Sequence, residues 1–140
     1  MGYGAIVYFN PARYDGHPLR EYFEIDDETG DLREIDGRYV LSDMGPEYAA
    51  EEYVGNAGGV GHVCTLIRTV LPDDSIILTK VLRRTAEQGV WPESFPLIES
   101  EMSIIAASRI RSDWHIKRHL EVLERLIKAG REQDMPILIV

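Results

Sequence analysis

LIESEMSIIAASRIRSDWHIKRHLEVLERLIKAGR, residues 97–131, is rich in strong helix formers and carries its apolar side chains at helical spacing. At 100° per residue, Ile98, Met102, Ile105, Ile116, Leu120, Leu123 and Ile127 fall within roughly 40° of one line, so one face is core. Ser112-Asp113 is a natural N-cap pair, and a helix through the whole segment would far exceed the usual ~11–12 residues. Two helices broken near Ser112 are therefore favoured over one. If the helix ran on unbroken, Arg109 and Asp113 would pair across one turn on the inward line, where an unpaired charge is costly. Gly130 is read as the C-terminal stop.

Working outward, the run Pro136-Ile137-Leu138-Ile139-Val140 is wholly apolar and reads as a last, interior strand. Residues 3–9 form a β-branched and aromatic run stopped by Asn10-Pro11, a first strand. Residues 21–26 and 32–35 flank Asp27-Glu28-Thr29-Gly30-Asp31, where Gly30 suits a hairpin turn, and 38–41 extend the meander. Ser42-Asp43, with Pro46 close behind, predicts a short helix carrying 47–53. Residues 55–61 then read as a glycine-rich loop. The apolar runs 62–71 and 75–82, joined by Pro72-Asp73-Asp74, predict a second hairpin. The expected architecture is α+β, a mostly antiparallel sheet of five to six strands with the C-terminal helices on one face, in a single domain over 1–140. A chain of this size buries roughly 68% of its unfolded surface, enough for one core without staples.

Composition narrows the class further. With 44% apolar residues and no 20- to 50-residue period, neither disorder nor a repeat architecture is expected. Cys64 is the only cysteine, so no intramolecular disulfide forms, and a cytoplasmic location is expected. No apolar run approaches the ~18–20 residues of a membrane span. The formal charge is −9, and its distribution is lopsided: residues 1–60 hold 13 acids and 4 bases, whereas 61–140 hold 11 of each. Residues 21–52 alone contain 12 acids with only Arg33 and Arg38 as bases. Such a field repels phosphate, which disfavours nucleic acid, and speeds encounter with a basic protein. Tyr22, Tyr39, Tyr48 and Tyr53 are interleaved with these acids, as in many protein interfaces.

Familiar chemistries are missing. The cluster 26–31 lacks the alternating spacing and distal Glu of a calcium loop. His115 and His119 have metal-ligand spacing, but Ile116 stands where a metalloprotease has Glu, so both are read as boundary residues with packed rings. The glycines of 55–61 are placed after a helix and before a strand, the reverse of a phosphate cradle, and no Gly-Lys-Ser/Thr occurs. His62 and Cys64, two apart on a strand, do not make an activated dyad, and Cys64 is read as a small buried hydrophobe.

With no motif that calls for a metal or other cofactor, the expected function is an acidic binding protein that neutralises a protein partner by covering its basic surface, as toxin-immunity and anti-defence inhibitors do. Its contact residues would be Tyr22, Glu24, Asp26, Asp27, Glu28, Asp31, Glu34 and Asp36 on the first hairpin, with Glu47, Glu51 and Glu52 on the short helix. The alternative is a small enzyme or ligand-binding domain with a pocket between sheet and helices, lined by Trp91, Trp114, His115 and His119 and covered by 55–61.

Overall fold

The computed structural model describes residues 2–10, 23–25, 32–34, 48–83 and 89–140. Strand β1 (Gly2–Tyr8) lies in the middle of a three-stranded antiparallel sheet of order β4-β1-β5, between β4 (Tyr48–Asn56) and the short β5 (Leu138–Ile139). β2 (Phe23–Ile25) and β3 (Leu32–Glu34) pair antiparallel as a separate two-stranded sheet, Phe23 opposite Glu34 and Ile25 opposite Leu32. This is the first hairpin read from the sequence. Its turn, the 38–41 stretch and residues 42–47 lie outside the described residues.

The expected sheet of five to six strands does not form, because two apolar segments take helical structure instead. Residues 62–71, read as a strand, belong mostly to helix α1 (Ala57–Ile67). Its buried residues Val60, Val63 and Ile67 recur at helical spacing and pack as one face. The second segment turns through a short π-helical stretch, Ile77–Val81. Its first amides are taken by a buried carboxylate: Ile76 and Ile77 donate to Glu101 at 3.0 and 2.9 Å. The hairpin predicted at Pro72-Asp73-Asp74 is thus absent. Conversely, 48–53, part of the short helix expected after the Ser42-Asp43 cap and Pro46, pairs along β1 as β4, with Ala50 opposite Val7 and Glu52 opposite Ala5.

The helical C-terminal half is broken as the N-cap predicted. α2 (Phe95–Ala106) ends at Ala107, and a 3-10 turn (Arg109–Ser112) leads to α3 (Trp114–Gln133). Asp113 caps α3, accepting from the amides of His115 and Ile116 at 2.9 and 3.2 Å, so it does not serve as the inward partner of Arg109. α3 packs on β4 and β1, burying Ile116, Val122, Leu123, Leu126 and Ile127. Ala5 and Val7 of β1 join this core, while Ile6 and Leu138, paired on the other face, are buried too. β5 ends the sheet rather than lying inside it, with a single antiparallel bridge from Ile137 to Val90 beyond it.

Gly130 does not stop the helix. α3 continues to Gln133, and the left-handed position is taken by Asp134 at φ 52°. Gly130 instead permits a close approach: a Cβ there would meet Phe95 ring carbons at 2.6 and 2.7 Å and the Met135 carbonyl at 3.0 Å. Phe95 is fully buried, so it has little room to yield. Gly130→Ala is expected to destabilise the fold by about 1–3 kcal/mol despite alanine's better helix propensity. Urea unfolding checks this, and a variant at least as stable as the parent would contradict the packing argument.

Candidate functional site

The end of β4, the start of α1 and the start of α3 meet around a cavity of about 260 Å³. The chain reaches it through a tight corner. Gly55, at φ 153°, takes a conformation that other residues rarely adopt. Asn56 then caps α1, its Oδ1 accepting from the Gly59 amide at 2.7 Å. Gly58 and Gly59 lie in the first turn, where a Cβ on Gly59 would come within 3.3 Å of that oxygen. The glycine-rich segment therefore follows a strand and opens a helix. This reverses the order expected from sequence and removes one of the two reasons for setting aside an anion site there, the missing Gly-Lys-Ser/Thr remaining.

Part of the cavity lining is apolar, from Val54, Val60, Val63 and Leu82. Part is polar, from Asn56, His115, Arg118 and His119. Arg118 is fixed from behind: its Nη2 donates to the Tyr53 carbonyl at 2.7 Å and its Nη1 to that of Val54 at 3.3 Å. The guanidinium also lies 5.7 Å from the centre of the Tyr53 ring. Two carbonyls and a ring face orient its charge without neutralising it. Trp114 is two-thirds exposed at the cavity margin, an unusual position for so large an apolar side chain.

The two histidines singled out from the sequence have opposite surroundings. His115 is about half exposed, whereas His119 is buried, and its Nε2 has no hydrogen-bond partner. Burial, reinforced by the nearby Arg118 charge, lowers the His119 pKa to about 4. The ring is thus neutral near pH 7. Beside the cavity, His115 joins His62 and Asp113. His62 Nε2 lies 3.1 Å from Asp113 Oδ2, and His115 Nδ1 lies 3.6 Å from Oδ1. The hydrogen bond from His62 is the main reason the Asp113 carboxyl titrates below its ordinary range, helped by the two cap amides.

Cys64 sits two residues from His62 on helix α1 rather than on a strand, so the two side chains point to different sides. Burial raises its thiol pKa, partly offset by Arg68, the opposite of what an activated nucleophile needs.

The expected partner-binding acids are mostly beyond reach. Tyr22, Asp26, Asp27, Glu28, Asp31, Asp36 and Glu47 lie outside the described residues, and Glu24 and Glu34 are placed only as backbone positions on β2 and β3. Glu51 and Glu52 are on strand β4, not on a helix. Glu51 is exposed, but Glu52 is bound by both the Nε and Nη2 of Arg125, so an arginine from the other half of the chain offsets its charge. Of the pocket residues anticipated from sequence, Trp114, His115 and His119 do line the cavity, and Trp91 does not. Sequence reasoning missed Arg118, His62 and Asn56. Only Asn56 left a signal, as a cap residue before Val60, Val63 and Ile67 at helical spacing.

No family model, curated protein or solved structure matches the chain. Among the described residues, no helix is long and apolar enough to cross a membrane.

The buried neutral His119 has a measurable signature. Its folded pKa lies below the ordinary value of 6.5, so between those limits the unfolded chain binds the proton and the folded chain does not. The stability this gives the native state is full above about pH 6.5 and is lost as pH falls towards 4, in total about 3 kcal/mol. Urea midpoints between pH 7 and 4.5 should fall less steeply in His119→Leu than in the parent; parallel curves would contradict a neutral buried ring.

Proposed function

We propose that the chain is a small ligand-binding protein whose cavity takes a compact anionic molecule with an aromatic or apolar body. The carrying observation is the meeting, at one cavity, of the held guanidinium of Arg118 and the glycine-opened N-terminus of α1. The helix end contributes roughly half a positive charge, and no acidic side chain occupies its first turn. Val54, Val60, Leu82 and Trp114 offer the apolar surface. The net charge of −9 slows the approach of an anion, but it is screened beyond about 8 Å at physiological salt, whereas Arg118 acts at contact.

Phenyl phosphate, benzoate and AMP are suitable probes because each combines an anionic group with a ring. At least one should raise the melting temperature saturably, by several degrees at about 100 times its Kd. Arg118→Ala should abolish the shift. No saturable shift with any of the three, or an undiminished shift in Arg118→Ala, would overturn the reading.

A second reading, the acidic protein-binding surface, is favoured by one feature of β4: Tyr48 and Tyr53 are exposed, with the exposed Glu51 between them in sequence. Aromatic side chains among acids suit a wet interface with a basic protein. A biotinylated basic partner such as lysozyme serves as a probe of the electrostatics. Association should slow when Asp26, Asp27 and Glu51 are each changed to Lys together, and its salt dependence should flatten. Unchanged rates in that triple variant would remove these residues from the surface.

A further inference from the structure

The three side chains His62, Asp113 and His115 come from two elements distant in sequence, α1 and the capped start of α3. Their ligand atoms all lie within 4.8 Å of one another. The imidazoles are about half exposed, so burial does not force them together. They nevertheless converge on one carboxylate, ring centres 4.9 Å apart and planes inclined at 66°. Two imidazoles on one ion, with metal–nitrogen bonds of about 2.1 Å at angles near 90–109°, place ring centres roughly 4.5–5.2 Å apart. The observed spacing falls in that interval.

We propose that His62 Nε2, the Asp113 carboxylate and His115 Nδ1 bind a divalent transition-metal ion of the zinc class. Two neutral nitrogen donors and one carboxylate suit such an ion and suit calcium or magnesium poorly, because those cations prefer oxygen. The Asp113 carboxylate is already oriented as a ligand: the amides of His115 and Ile116 hold Oδ1, which turns Oδ2 towards His62. The donor atoms, within 4.8 Å of one another, are close to the roughly 3–3.5 Å separations that bonds of about 2.1 Å to one ion impose. Three protein ligands leave at least one position for water or another ligand. His115 is shared with the cavity, which places that ion at the cavity margin. The site goes beyond the proposed anion pocket and does not require it, since neither Arg118 nor α1's first turn supplies a ligand.

Tag-free protein, stripped with EDTA and dialysed, can be titrated calorimetrically with zinc chloride. The parent should bind a single ion per chain, and Co2+ in its place should give visible d–d absorption. His62→Ala and His115→Ala should each weaken zinc binding by about tenfold or more, since losing even an outer-shell partner of a metal ligand costs about that much. His62→Gln is a second variant at an exposed position that caps no helix, and it should behave as His62→Ala does. Far-UV circular dichroism establishes that each variant retains its helices. Absence of saturable one-to-one binding to the parent, or a loss below about tenfold in any of the folded variants, would overturn the site. Equal competition by calcium would do so as well.

Discussion

The structure depends on how α3 is seated across the sheet. Its buried stripe, Ile116, Val122, Leu123, Leu126 and Ile127, covers one face of β1 and β4, and each fully buried aliphatic side chain contributes about 1.5–3 kcal/mol relative to exposure. Polar contacts then fix how the helix sits. Arg118 binds the carbonyls of Tyr53 and Val54, and seven residues on, two turns away, Arg125 binds Glu52. Both anchors reach β4, so the helix cannot rotate or slide without breaking one of them. The exposed Arg125–Glu52 pair adds little energy of its own, but it specifies register.

That seating creates the site. Because Arg118 is held against the end of β4, its charge lies at the corner where Gly55 and Asn56 turn the chain into α1. The same start of α3 carries the Asp113 cap, which ties the helix N-terminus to His62 on α1. The cavity and the His–Asp–His cluster are thus two products of one junction between three elements, and His115 belongs to both. Both lie at element ends, where backbone amides and capping side chains are available.

One acid of the N-terminal part, Glu52, meets a base of the C-terminal part, Arg125, in the folded state. Within the C-terminal half, Glu99 is likewise bound by Arg131. Each of these two carboxylates faces an arginine, so at both positions a count of acids along the sequence overstates the charge presented.

The sequence by itself determined the first strand, the first hairpin, the break before Trp114 with Asp113 as cap, and the apolar face of the C-terminal helices. These rest on local signals: periodicity and capping act between residues a few positions apart. Only the tertiary structure decided that YAAEEYVGN is a strand and that AGGVGHVCTLI is a helix. Local propensity favours the opposite assignment for each: Ala and Glu favour helix, and Gly, Val and Thr oppose it, by fractions of a kcal/mol per residue. Pairing with β1 and burial of Val60, Val63 and Ile67 outweigh those preferences. The meeting of Arg118, His62 and Asp113 is likewise invisible in a linear text, because it depends on how α1, α3 and β4 pack across more than 50 residues of chain.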